Sequence, residues 1–285
     1  MSNIKKFCNN PSIEEWCILD INIKNFMIKV SYCCIDNNIG NLNLAHIIVK
    51  YVCDKSIIYK RGYKDRFGII TKDKSLYLMS SDEKCFQSTM LHSVPKWDNT
   101  LIKLIKHKND INLTNPGPRL SLTFRFLGEF QPVIKKYKKP EKVWENNGVS
   151  IRVLENIGYD FEYVYDMIKD NLNPDITKMY GKTFLNSGRQ VVTYTTNDKL
   201  LIYKYGGKNV NVIMMNKNIK DILNRVEKVS GVEYNWVHIV YYPSGDTKLD
   251  WHNDVGGIAK NSTIAGISLF KYPTNIRSVE FKKQK

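Results

Sequence analysis

Apolar residues recur along this chain with two different periods, and the switches between them predict its elements. Arg119-Leu-Ser-Leu-Thr-Phe-Arg125 alternates strictly, so Arg119, Ser121, Thr123 and Arg125 share one strand face while Leu120, Leu122 and Phe124 share the other. Val149–Leu154, Val237–Tyr242 and Thr263–Phe270 are further strand-like runs, and 66–79 predicts two strands around a Lys72-Asp-Lys74 turn. Helical spacing replaces alternation in two places. Phe161, Val164, Met167, Ile168 and Leu172 predict a helix over 160–172 with Asp160 as its cap. Ile219, Ile222, Leu223, Val226 and Val229 predict a second, closed by Gly231. Asn115-Pro-Gly-Pro118 is a break, Trp97–Lys108 reads as a short helix, and Lys135-Lys-Tyr-Lys-Lys-Pro140 reads as part of a basic linker. In the first sixty residues, Phe26–Ile35 and Ala45–Val52 fit either strands or a buried helix, and periodicity leaves both open.

The sum is a mainly β chain with flanking helices, of the α+β class. Its 285 residues suffice for one large domain or two small ones, with a core that needs no disulfide or metal to fold. The cysteines, Cys8, Cys17, Cys33, Cys34, Cys53 and Cys85, lack paired CxxC spacing, which argues against a zinc ribbon or disulfide framework and for a reducing compartment. The N-terminus lacks an apolar signal core and no run approaches eighteen apolar residues, so the expectation is a soluble, intracellular protein, cytoplasmic or nuclear, without a membrane partner. A formal net charge of +15 favours a polyanionic partner, because cations that contact phosphates release counterions. The abundance of Lys, Asn and Ile also fits an AT-rich coding sequence, an alternative source for part of that charge.

Candidate chemistry begins at His252-Asn253-Asp254, which the flanking runs and the Pro243-Ser-Gly-Asp turn put at a strand end. In extended chain, residues i and i+2 share a face about 7 Å apart, so an imidazole and a carboxylate can converge on one ion. The triplet alone also fits an ordinary surface strand. A second histidine would complete the 2-His-1-carboxylate set that leaves coordination positions open on Fe(II). The chain offers His46, His92, His107 and His238 besides His252; His46 sits in an apolar run that suits a packed side chain. His92 stands in Leu91-His-Ser-Val-Pro95, after Ser75-Leu-Tyr-Leu-Met79 and before Arg119–Arg125. Two arginines on one strand face suit an anion, with an exposed amphipathic strand as the alternative. In 179–206, aromatics interleave with cations: Tyr203 and Tyr205 share a strand face, and Lys182 and Arg189 are close in sequence. That mix fits base stacking beside phosphate contacts, or an amphipathic hairpin.

Taken together, the Ser-Leu-x-Leu-Met, His-Ser-Val-Pro and Arg-x-x-Leu-Thr-Phe-Arg block, the His-x-Asp strand and the 179–206 segment resemble the AlkB family of Fe(II)- and 2-oxoglutarate-dependent dioxygenases. Here the block that holds the distal histidine precedes the His-x-Asp strand instead of following it. The resemblance covers roughly 200 residues and implies a double-stranded β-helix, or jelly-roll, in circularly permuted order. On that pattern, 61–130 is the C-terminal part of the core, 131–147 a basic linker and 148–285 the N-terminal part, while 1–60 matches nothing. New ends would open between Lys285 and the first segment. Chain order itself is no obstacle, since one catalytic constellation recurs in several sequence orders.

The resemblance implies roles residue by residue. His252, Asp254 and His92 would bind Fe(II). Arg119 and Arg125 would pair with the carboxylates of 2-oxoglutarate, and Tyr242 would donate a hydrogen bond to that co-substrate. Tyr180, Lys182, Arg189, Tyr203 and Tyr205 would form a lid gripping methylated DNA or RNA, single-stranded or with the base extruded and stacked between Tyr205 and His252. The implied reaction is oxidative removal of an N-methyl group, by a monomer. Two positions depart from the pattern: Val240 stands where many relatives carry an asparagine, and Gly256 where some carry an acid that reads the base. Two other readings are a catalytically weak nucleic-acid-binding protein on the same scaffold, and a dioxygenase acting on protein or small molecules.

Overall fold

The structure, a computed structural model, describes residues 29–36, 42–52, 56–60, 66–71, 73–81, 90–95, 117–134, 144–146, 149–154, 157–179, 182–201, 204–205, 208–209, 211–252, 258–272 and 277–283. Within these, eighteen strands and two α-helices follow one another. In chain order the strands are β1 (Lys29–Asp36), β2 (Leu42–Val52), β3 (Ser56–Lys60), β4 (Arg66–Thr71), β5 (Ser75–Ser81), β6 (Met90–Val94), β7 (Arg119–Arg125), β8 (Trp144–Asn146) and β9 (Val149–Leu154). Helix α1 (Phe161–Ile168) is followed by β10 (Asn173–Met179), β11 (Lys182–Thr195), β12 (Lys204–Tyr205), β13 (Lys208–Asn209) and β14 (Val212–Met214). Helix α2 (Lys217–Ser230) leads to β15 (Trp236–Tyr242), β16 (Leu249–His252), β17 (Ile264–Phe270) and β18 (Arg277–Lys283). A mainly β chain with flanking helices is what the sequence pattern predicts; the further short helix expected over Trp97–Lys108 lies outside the described residues.

Two large sheets carry the fold. One runs β10-β11-β15-β7-β17-β5-β9-β8, with β14 beside β11; the other runs β1-β2-β3-β4-β18-β6-β16. From β15 to β18 the chain alternates between them, and from β4 to β7 it alternates again. Strand β7 therefore pairs with β15 on one edge and β17 on the other, Arg119 standing level with Tyr242 and Phe270.

Alternation along these strands sorts side chains between two layers. Leu120, Leu122 and Phe124 of β7 join Val237 and Ile239 of β15, Ala265, Ile267 and Leu269 of β17, and Leu76 and Leu78 of β5 in a core covered by both helices. Helix α1 contributes Phe161, Val164 and Ile168, and α2 contributes Ile219, Ile222, Leu223 and Val226. The α2 boundaries follow from its ends: the Asn216 side chain accepts from the Ile219 amide at 3.0 Å, and Gly231 takes the left-handed φ of 76°. The predicted first helix is shorter than its periodicity, since 169–171 tightens into a 3-10 turn. Asp160 is its N-cap by position, but its side chain makes no cap bond and pairs with Lys74. Leu122 is 1% exposed at the centre of this core. Leu122→Ala is expected to cost about 2–5 kcal/mol in denaturant unfolding; a loss under about 1 kcal/mol would mean the helix layer does not cover it.

The opposite face looks towards the second sheet. Tyr77 (β5), Ile151 (β9) and Ile264 (β17) pack there with Met90 (β6) and Phe281 (β18), while Val240 and Tyr242 (β15) pack with Val94 (β6). The sheets are thus face to face. The chain crosses between them at Asp73-Lys74, where Lys74 has φ 59° and the Asp73 carboxylate accepts from the Phe270 amide at 2.8 Å. Part of the predicted linker is built into the fold. Gln131, 3% exposed, receives the Thr263 amide at 2.7 Å and donates to the Glu233 carbonyl at 2.7 Å. Among the described residues, no helix is long and apolar enough to cross a membrane.

Candidate metal and anion site

The space between the sheets has a polar floor. Ser121, Thr123 and Arg125 of β7, His238 of β15 and Gly266 of β17 are only partly buried although their strands are paired on both edges. Exposure of such residues can come only through the face, so this face lines a cleft.

Strand periodicity aims two histidines into it. Met90 and Val94 of β6 both pack between the sheets, and His92 midway between them shares their face. His92 was expected just past a strand; it lies within one. Its neighbour on β16 is His252, and the two rings stand 4.1 Å apart between centroids, tilted by 52°. A bulge makes this meeting happen. Leu249 pairs with Val94 and His252 with His92, so β16 spends three residues where β6 spends two. Without the extra residue, Leu249 and His252 would face opposite ways. With it, Leu249 packs beside Val94 and His252 meets His92.

The His252 Nδ1 lies 2.8 Å from the Asp250 carbonyl oxygen. A carbonyl only accepts, so Nδ1 donates to it and the ring is oriented by its own strand. Two neighbouring imidazoles, one of them oriented by a main-chain carbonyl, suit a borderline divalent ion. Asp254, the expected carboxylate, lies outside the described residues, as do Tyr180, Tyr203 and Gly256. Among the described residues, no three His, Cys, Asp or Glu side chains stand together.

Position along the cleft follows from the packing. Val94 touches the Val240–Tyr242 level of the floor, whereas Phe281, level with His92, packs with Tyr77 and Ile264. The histidine pair thus lies over the middle of β7, with Arg119 towards one end and Arg125 towards the other.

Arg119 is fully buried, and its guanidinium carbon sits 4.7 Å from the centroid of the Tyr242 ring and 5.9 Å from that of Phe270. Burial pulls its pKa below the ordinary range, and Tyr242 partly restores it. Nη1 reaches the Thr71 hydroxyl at 3.5 Å, while Nε and Nη2 have no hydrogen-bond partner among the described residues. Buried donors on a cation need an acceptor. Val240, 8% exposed, packs with Val94 and Tyr242, so an asparagine amide there would enter an apolar cluster.

The residues expected to form a lid stand in unlike surroundings. Lys182 opens β11, the long strand paired with β10, and Tyr205 ends β12, level with Lys208 of β13. Arg189 differs from its expected phosphate-gripping role: it is 7% exposed and forms an ion pair with Asp175 across the β10–β11 hairpin. Its charge is spent inside the hairpin.

Two residues of the cleft were not singled out from sequence. His238 faces it with Nδ1 2.9 Å from the Thr193 hydroxyl; the alternation that puts Tyr242 on this face puts His238 there too. Arg277 on β18 also enters it, with its guanidinium carbon 5.1 Å from the Tyr242 ring centroid. Its sequence surroundings carry no comparable signal.

No protein-family model matches this chain, and neither a curated protein nor a solved structure is significantly similar to it.

Proposed function

We propose that this protein is an Fe(II)- and 2-oxoglutarate-dependent dioxygenase that removes N-methyl groups from nucleobases, built on a double-stranded β-helix in circularly permuted order. The observation that carries this reading is the meeting of His92 and His252 at 4.1 Å from strands far apart in sequence. Support for the scaffold comes from strand order. Eight strands form two facing rows, β15-β7-β17-β5 and β16-β6-β18-β4. Read from β15 to β18 and then from β4 to β7, the chain winds between the rows as a jelly-roll does.

In this reading His92, His252 and Asp254 hold the iron, which when bound supplies oxygen activation. The chain's own residues do the rest. Asp250 orients His252, Arg119 and Tyr242 hold one carboxylate of the co-substrate, and Arg125 supplies charge at the far end of the same strand face. Helices cover the other face of the floor, leaving the cleft itself for co-substrate and base. The net charge of +15 favours an approaching phosphate backbone. With Arg189 engaged by Asp175, Lys182 and the Tyr203–Tyr205 segment remain as the proposed grip on substrate.

The test is mass spectrometry of N-methylated single-stranded oligonucleotides incubated with the protein, Fe(II) and 2-oxoglutarate, with succinate measured in parallel. Loss of the methyl group with matching succinate is expected. Succinate without any change in the oligonucleotides would overturn the nucleobase assignment, and absence of both would overturn the dioxygenase assignment.

A further inference from the structure

Arg277 has no role in the reaction just proposed, yet it is built into the same cleft at considerable cost. It is 2% exposed, on the sheet opposite Arg119, and both guanidiniums lie against one Tyr242 ring, at 5.1 and 4.7 Å from its centroid. A single hydroxyl links the two arginines. Thr71 Oγ1 lies 3.5 Å from Arg119 Nη1 and donates to the Arg277 carbonyl oxygen at 2.9 Å.

Two like charges buried side by side repel, and desolvation adds to the penalty. Burial first, and then the charge of Arg119, pull the Arg277 guanidinium down to about 9, with Tyr242 and Asp246 partly offsetting the shift. A guanidinium keeps its proton in proteins, so relief has to come from negative charge placed against the pair. Arg277 meets part of its demand on main-chain carbonyls. Nη1 donates to Ser244 at 2.8 Å, and Nη2 donates to Pro95 at 3.2 Å and to Thr247. Its Nε, like Nε and Nη2 of Arg119, is buried with no hydrogen-bond partner among the described residues.

We propose that Arg119 and Arg277 together form a carboxylate cradle around Tyr242, and that Arg277 is the residue that selects a dicarboxylate over a monocarboxylate. The cradle stands on the geometry alone; only naming its occupant as 2-oxoglutarate rests on the dioxygenase reading. An acceptor entering beside Tyr242 meets donors from both sheets, and a second cation strengthens the preference for a ligand with a distal carboxylate. The Pro95, Ser244 and Thr247 contacts also tie Arg277 to the segments that follow β6 and precede β16, the strands of the two histidines.

The test compares 2-oxoglutarate with 2-oxobutyrate, which lacks the distal carboxylate, in titrations of the Mn(II)-loaded full chain; succinate without metal probes the cradle alone. Arg277→Gln is expected to weaken 2-oxoglutarate about 10- to 100-fold, the range for a hydrogen bond to a charged group, and to leave 2-oxobutyrate within twofold. Equal weakening of both acids would reduce Arg277 to a clamp on the loops, and no weakening would remove it from the site; either result overturns the proposal. If Arg277→Gln does not fold, Arg277→Lys decides. It is expected to keep the dicarboxylate preference through its charge, and loss of that preference in a folded protein overturns the proposal. A parent chain that binds succinate without metal but gains no 2-oxoglutarate affinity from Mn(II) supports the cradle and overturns the dioxygenase reading instead.

Discussion

His92→Ala is expected to abolish metal-dependent turnover, with His252→Ala behaving alike, while the protein stays folded. The argument rests on what each ring does for stability and for an ion. As a cross-strand pair on β6 and β16, two half-buried imidazoles contribute at most about 1 kcal/mol, too little for its loss to unfold a domain. As ligands they supply two of three protein donors. Even residues that only orient a ligand typically cost 10–100-fold in affinity or activity, so deleting a donor should exceed about 100-fold. Co(II) titration followed by its visible absorption, with circular dichroism as the folding control, separates the two roles. Parent-like Co(II) binding in both variants would make the pair a packing contact and leave the dioxygenase reading without its main support.

Arg119 should show the opposite pattern, with function lost and stability gained. Truncating one partner of a buried, hydrogen-bonded charge pair costs about 2–5 kcal/mol, or roughly 30- to 5,000-fold, so Arg119→Ala should raise the apparent KM for 2-oxoglutarate by that order. The ligand-free protein is a different case. There Arg119 is fully buried with Nε and Nη2 lacking hydrogen-bond partners among the described residues, and repulsion from Arg277 adds to the penalty. Replacing such a charge with an apolar side chain of similar length often stabilises by about 1–4 kcal/mol. Arg119→Met should therefore raise the melting temperature of the unliganded protein while eliminating its further rise with 2-oxoglutarate. An unchanged KM in Arg119→Ala, or a lower melting temperature in Arg119→Met, would mean that the arginine serves packing.

How much of this could be read from residues alone varies with the range of the forces involved. The two faces of β7 were legible, because alternation is local and sends Leu120, Leu122 and Phe124 to one side and the polar residues to the other. So was the C-terminal end of α2, where Gly231 turns the backbone, whereas the cap at Asn216 was not singled out. The histidine pair was legible only as a resemblance. Its physical cause, the bulge that lets Leu249 and His252 face the same way, arises from pairing with β6 and leaves no trace in the spacing. Arg277 and Arg189 were misjudged or missed for the same reason. One takes its meaning from Tyr242 and distant carbonyls, and the other is neutralised by Asp175 across a hairpin. Gln131 was read as linker because nothing nearby in sequence announces that its amide bridges Glu233 and Thr263.

The place of β7 between β15 and β17 also bears on how the chain comes to be folded. Synthesis proceeds from the N-terminus, so β7 is complete when Arg125 has been added, but its first native neighbour does not exist until Tyr242 and its second until Phe270. Until then Leu120, Leu122 and Phe124 lack the adjoining strands, although both helices that cover them are made before Tyr242. A strand left in that condition is an open edge with an apolar flank, the kind of surface on which nascent chains associate wrongly. The centre of the sheet thus cannot be finished before Phe270 has been made, and a product stalled between Arg125 and Tyr242 would carry β7 with both edges unpaired.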